Sequence, residues 1–226
     1  MKYVYLDTET TTLDPRFGSL WEAAAIVRDT DCPDLGDREF WWQVKPDLTY
    51  ADPKALQIGR YYARSQVCDR EAGAGVQLGC GTERADAPPA GKVMKNVTAD
   101  QIALRLARHL DGATIVANNP RHDRDFLQAF LHAHGQAFTA SHRMEDIRAT
   151  LTGYVYGRPS VYDGKVDEAF GAEAAPYVHD WLDGATDYLA WEIVDVTQER
   201  ETKHTALGDA RLVRDVFDAI TQEVRR

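Results

Sequence analysis

The chain opens on an apolar run, Lys2 to Leu6, that ends in two carboxylates, Asp7 and Glu9. An apolar run of this length reads as a buried strand, and a buried strand needs packed elements on both of its faces. This constrains the fold before anything else does. On a strand, residues two apart share a face, so an extended Asp7-Thr8-Glu9 sets two carboxylates side by side. Unpaired, they repel and one pKa rises. A solvated turn would relieve the conflict, and so would a hard divalent cation seated between them.

Two further strands are expected nearby, at 19–29 (SLWEAAAIVRD) and 38–46 (REFWWQVKP), joined by short Asp-, Pro- and Gly-containing spacers. Asp52-Pro53 should start a helix that turns Ala55, Leu56, Tyr62 and Ala63 inward. Residues 65–96 show no clear period and are rich in Gly, Ala and Pro, which predicts a long irregular loop, either a surface excursion or a substrate-contacting flap. Thr98 and Gln101 form a capping box for a helix closed near Gly112. A strand at 114–118 and a helix at 123–134 follow, and residues 144–150 supply a fifth strand or another helix. The period of apolar residues predicts helices at 178–196 and from about Thr205 onward. The expected fold is one α/β domain over residues 1–226, a mixed five-stranded sheet flanked by helices.

Composition matters mainly through charge. The net charge is −10, which argues against a phosphate-binding protein until its distribution is read. Residues 160–199 hold ten acids and one base, so that acidic segment carries −9 and the remaining 186 residues carry −1. A polyanion can therefore dock elsewhere. Trp181, Tyr188 and Trp191 within the segment would suit either a solvated helical surface or contact with a basic partner. No apolar run approaches the ~18 residues of a membrane span. The start of the chain has no signal-peptide pattern, and the three cysteines (Cys32, Cys68, Cys80) are irregularly spaced, so reduced thiols in a cytoplasmic protein are expected.

Two later segments carry more acids. In VANNPRHDRDFLQAFL, residues 116–131, Asp123 shares the helical stripe of Leu127 and Phe130, whereas Asp125 points to the other side. Asp123 is thus the inward acid, either complementing the helix dipole or serving a site. In HTALGDARLVRDVF, residues 204–217, Asp209 lies on the edge of Ala206, Val213 and Val216, with His204 in the loop just before.

Taken in order, LDTETTTLDP, NNPRHDRDFL and HTALGDA resemble the three motifs of the DEDDh 3′→5′ exonucleases, which have an RNase H-like fold and are related to bacterial proofreading subunits and to several exoribonucleases. WEAAAIV, residues 21–27, resembles the family's second strand, including its Glu. His122 departs from the family pattern, which has an aromatic or apolar residue there. The resemblance implies two divalent metal ions, magnesium or manganese, bridged by Asp7, with Glu9 and Asp209 completing one site and Asp123 acting mainly through water. His204 would be the general base. Thr10 would approach the 3′-hydroxyl through its backbone, Leu13 would wedge against the terminal base, and Asn119 belongs to the second motif.

The expected activity is release of nucleoside 5′-monophosphates from the 3′ end of a nucleic acid, single-stranded DNA being favoured because DTETTTLDP is closer to proofreading-type members. An exoribonuclease is the alternative, since the chemistry needs no 2′-hydroxyl. A non-catalytic nucleic-acid-binding module ranks lower because all five catalytic-type residues are present. An HD-type phosphohydrolase built on His122-Asp123 ranks last, for His132 and His134 do not complete its ligand set. The motifs do not say whether a polymerase or another protein is a partner.

Overall fold

A computed structural model describes residues 1–65, 78–85, 92–162, 164–173, 175–182, 193–198 and 201–224. The opening run forms β1 (Lys2–Thr10), and β2 (Leu20–Asp29) pairs with it antiparallel, Asp7 opposite Ala24 and Glu9 opposite Glu22. β3 (Arg38–Val44) continues the antiparallel set on the far side of β2. Asp52 caps α1 (Pro53–Ile58) through Lys54 N–H, and α2 (Tyr61–Arg64) follows. Next come β4 (Leu78–Ala85), β5 (Lys92–Thr98), α3 (Ala99–Leu110), β6 (Thr114–Ala117), α4 (Pro120–Ala133) and β7 (Met144–Asp146). The C-terminal part holds α5 (Ile147–Tyr156), α6 (Pro159–Tyr162), α7 (Val166–Phe170), α8 (Ala175–Leu182) and α9 (Ala206–Val224).

The sheet order is β5-β4-β3-β2-β1-β6-β7, with β6 and β7 parallel to β1. The five expected strands, β3-β2-β1-β6-β7, are its mixed core. β1 is central, and its alternate residues feed two separate cores. Val4 and Leu6 pack with Leu106, Leu110, Leu127 and Leu131 of α3 and α4. Tyr5 packs on the opposite face with Leu151, Val178, Val213 and Val216 of α5, α8 and α9. Burying each such aliphatic side chain is worth about 1.5–3 kcal/mol, so this double cover pins the register of β1 and with it the face on which Asp7 and Glu9 emerge.

Four expectations change. The stretch 65–96 is not one irregular loop: β4 and β5 form a hairpin that adds two strands to the sheet beside β3. Backbone groups make that pairing, so a Gly-containing segment such as LGCGTERA joins a sheet without an apolar period. Residues 66–77 and 86–91 lie outside the described part of this stretch. Tyr61, not Tyr62, is buried and Ala63 is exposed, because Arg60 adopts φ 51° and restarts the helix in a new phase. Of the expected helix 178–196, α8 covers Ala175–Leu182, and residues 193–198 are not α-helical. Residues 183–192, which include Tyr188 and Trp191, and the side chain of Trp181 fall outside the described residues. Finally, 144–150 is both a strand and a helix, with Asp146 closing β7 and capping α5 through the N–H groups of Arg148 and Ala149.

Candidate active site

The C-terminal end of β1 is where the first predicted acids emerge. Asp7 and Glu9 point to the α9 side of the sheet, and the small Ala24 opposite Asp7 leaves room above the strand. Asp209, in the first turn of α9, comes to meet them. The carboxylates of Asp7, Glu9 and Asp209 bring ligand atoms within 4.8 Å of one another. Asp123 stands apart from this triplet. It projects from the first turn of α4, is 2% exposed, and accepts a hydrogen bond of 2.7 Å from Thr8 Oγ1. Helical phase had selected it over Asp125, whose side chain remains 34% exposed in ion pairs with Arg121 and Arg124.

Four carboxyls gather about one strand end, and burial works against the charged form of each. Burial drives the Asp7 carboxyl well above its usual range, and Asp209, Asp123 and Glu9 add to the effect. Glu9 is pushed up to about 8, first by burial and then by Glu22 and Asp209, against the pull of Arg64 at 3.9 Å. Asp123 rises to about 7 through burial, with the Thr8 hydrogen bonds opposing. Asp209 is raised by burial and restrained by Gln198, whose amide donates to it at 2.5 Å, and by His204. A cluster of hard oxygen donors short of positive charge fits magnesium or manganese, which favour carboxylate oxygens together with water. Asp7, Glu9 and Asp209 are the residues that would hold such an ion.

His204 occupies the exposed turn before α9 with φ 55°, a left-handed conformation for a non-glycine residue. That turn is held from three sides. Arg64 Nη1 donates to the His204 carbonyl, Thr205 Oγ1 and Gln198 Nε2 donate to the Thr202 carbonyl, and Gly208 lies directly beneath. A Cβ at Gly208 would stand 2.1 Å from the Thr202 oxygen, so only glycine lets the turn pack this closely on α9.

Three residues secure this arrangement: Glu22, which the second-strand resemblance included, and Arg64 and Gln198, which sequence reasoning missed. Glu22, 1% exposed, accepts from Trp41 Nε1, Gln43 Nε2, the Arg64 guanidinium and the backbone N–H of Ala206. It therefore ties β3, α2 and the start of α9 to β2. An acid inside an apolar strand was the visible signal for Glu22. Arg64 and Gln198 left no such trace, because each comes from a short or irregular segment.

The expected substrate-binding residues fall on the opposite side of β1. Thr10 is buried, its hydroxyl donating to the Thr12 carbonyl at 2.7 Å and lying 3.5 Å from His122 Nε2. Leu13 is 82% exposed, so its side chain stands free of the core. Asn119 precedes α4 at φ 74° and its side chain makes no cap bond. Leu13, Pro15, Asn119, Arg121, His122 and Asp125 line a cavity of about 180 Å³. A second cavity, of about 580 Å³, opens behind Arg64 and Glu22 between α2, β3 and α9.

No family model and no curated protein sequence matches the chain. Among solved structures it is similar to the zinc-bound complex of E. coli ExoI with single-stranded DNA, at TM-score 0.52 and 13% identity. That alignment covers 100% of this chain and 41% of ExoI. A second exonuclease I structure aligns at TM-score 0.48 and 14% identity, over 98% of this chain and 41% of that one. The chain thus spans about two fifths of the length of the structures it matches, and shares with ExoI the fold, an α/β sheet of RNase H-like type covered by helices on both faces.

Proposed function

We propose that the chain is a metal-dependent 3′→5′ exonuclease that removes nucleoside 5′-monophosphates from single-stranded DNA. The observation that carries this reading is the meeting of Asp7, Glu9 and Asp209 within 4.8 Å at the end of the central strand, with His204 in the turn leading to Asp209. The fold shared with ExoI, whose structure contains single-stranded DNA, supports the choice of substrate.

In this reading Asp7, Glu9 and Asp209 hold magnesium or manganese, and Asp123, fixed by Thr8, acts from one step further out. Bound there, the ions supply positive charge to the phosphoryl oxygens and the leaving oxygen of an in-line displacement. His204 takes the proton of the attacking water, a role worth about 10²–10⁴ in rate. Its exposed turn lets the imidazole swing over the strand end, while Arg64 anchors its backbone. Because the Thr10 hydroxyl is engaged internally, its backbone is what meets the terminal 3′-hydroxyl. Leu13 offers its exposed side chain to the terminal base, and Asn119 and the cavity it lines border the sugar and phosphate.

The test uses 5′-labelled single-stranded DNA and RNA of one sequence, incubated with manganese, magnesium or chelator. Metal-dependent shortening from the 3′ end, faster on DNA, is expected. Faster shortening of RNA would reassign the enzyme to RNA ends, and shortening of neither by the folded protein would overturn the reading.

A further inference from the structure

Beside the acids, the protein builds a rim from two segments, residues 11–19 and 45–54. Thr11, two residues past Glu9, knots them together: its N–H donates to the Ser19 carbonyl, its hydroxyl accepts from Ser19 N–H, and its carbonyl accepts from Asp52 N–H, all at 2.8–2.9 Å. On top of this frame stand Phe17 and Tyr50, 57% and 66% exposed, their rings in edge contact with centroids 6.1 Å apart. Scattered exposed apolar side chains need no explanation, but two aromatic rings held together in solvent do.

The turn beneath Phe17 is also closely held. The turn carrying Phe17 is closed by hydrogen bonds from the N–H groups of Phe17 and Gly18 to the Asp14 carbonyl. Gly18 lets that turn lie against Thr12 and Phe126, where a Cβ would stand 2.2 Å from Thr12 Oγ1. The guanidinium of Arg16 lies 5.4 Å from the centre of the Phe17 ring, in a solvent-exposed pair with Asp14. In a chain of net charge −10, this rim carries three acids and three bases and so does not repel a polyanion. Exposed aromatic faces in mutual contact, with an arginine beside them, on neutral ground next to the acid cluster, are the pattern of a base-stacking platform.

We infer that Phe17 and Tyr50 form a stacking platform for bases of a single strand whose 3′ end lies at Asp7 and Glu9. The inference rests on the exonuclease reading for the direction of the strand. Every base has a π-face, so the platform tolerates any sequence and adds affinity without readout. Segment 11–19, which carries Phe17, also carries Leu13 and Pro15 of the cavity at Asn119, so one segment links that cavity to the rings.

The test is fluorescence anisotropy of a 5′-labelled octathymidylate in chelator, with the wild type, Phe17→Ala, Tyr50→Ala, the double variant and Phe17→Trp. Each alanine is expected to raise Kd about tenfold and Phe17→Trp to restore it, since stacking contributes on that scale per base. The penalty should be the same at low and high salt, because a ring neutralises no phosphate. Thermal melting of each variant reports folding, and both rings lie on the surface. Unchanged Kd in both alanine variants, or a penalty that vanishes with added salt, overturns the platform whether or not the protein cleaves. Binding that depends on the rings, by a protein that shortens no strand with any metal, keeps the platform and overturns the exonuclease reading.

Discussion

The acid cluster makes the metal-free protein lose stability as the pH rises through neutrality, the reverse of the usual carboxylate effect. Glu9 rises from an ordinary value near 4.5 to about 8 on folding, and Asp123 from 3.8 to about 7. A folded state that binds protons more tightly than the unfolded chain is favoured at low pH, and the advantage disappears as the pH passes the folded-state pKa. Integrated from about pH 6.5 to 8.5, the linkage relation gives a loss of about 2 kcal/mol from Glu9 and about 1 kcal/mol from Asp123. For a domain of this size each kcal/mol moves Tm by about 2–4 °C, so a fall of about 6–12 °C is expected. Buried His109, lowered to about 4, is neutral in the folded protein but titrates near 6.5 in the unfolded chain, so it opposes the effect by only about 0.4 kcal/mol over this window. The assay is thermal melting in chelator at several pH values, repeated with manganese. A saturating ion, at about 100 times its Kd, restores about 2.7 kcal/mol at the alkaline end. A metal-free Tm that is flat or rises across the window would refute the reasoning, and so would an alkaline loss that manganese leaves untouched.

Asp7→Asn removes one of the crowded carboxyls whose ionisation burial opposes, and at pH 8 it should raise the Tm of the chelated protein while abolishing the response to manganese; melting with and without the ion checks both. His204→Gly relieves a left-handed residue and should stabilise by about 1 kcal/mol, yet lower kcat by about 10²–10⁴-fold, as melting and single-turnover hydrolysis will report. Arg64→Met strands the buried carboxylate of Glu22 and should cost about 3–5 kcal/mol; a urea midpoint unchanged from wild type would contradict that. Gly208→Ala should destabilise by about 1–3 kcal/mol through overpacking against Thr202, and it should lower kcat more than it raises KM because the turn carrying His204 must move.

How much of this was legible in the sequence depends on what each residue leans on. The strands β1, β2, β3 and β6 and the helices α3, α4 and α9 were readable, because each carries an apolar run or stripe, whereas β7, Met-Glu-Asp, has none and its segment was left open between strand and helix. Asp123 was separable from Asp125 by helical phase alone, and the burial of the first agrees. The β4–β5 hairpin was not readable, since its pairing is made by backbone atoms and its residues show no alternation. Leu56 of α1 is buried as expected, but the inward side of α2 was misread because of a single positive φ at Arg60, a feature that side-chain periodicity cannot reveal. The acids could be found as isolated carboxylates near apolar stripes, but their meeting within 4.8 Å depends on β1 and α9 packing together, which is tertiary. Arg64 and Gln198 were invisible for the same reason. Each acts on the site through a contact with residues more than ten positions away.

The central claim is that this strand end hydrolyses the last phosphodiester bond of a single strand and leaves the phosphate on the departing nucleotide. The most direct measurement is mass spectrometry of the small products released from an unlabelled DNA oligonucleotide by the manganese-loaded protein, with Asp7→Asn alongside. The account predicts deoxynucleoside 5′-monophosphates from the wild type and none from the variant. Nucleoside 3′-monophosphates, oligonucleotide fragments, or identical products from the wild type and Asp7→Asn would contradict it.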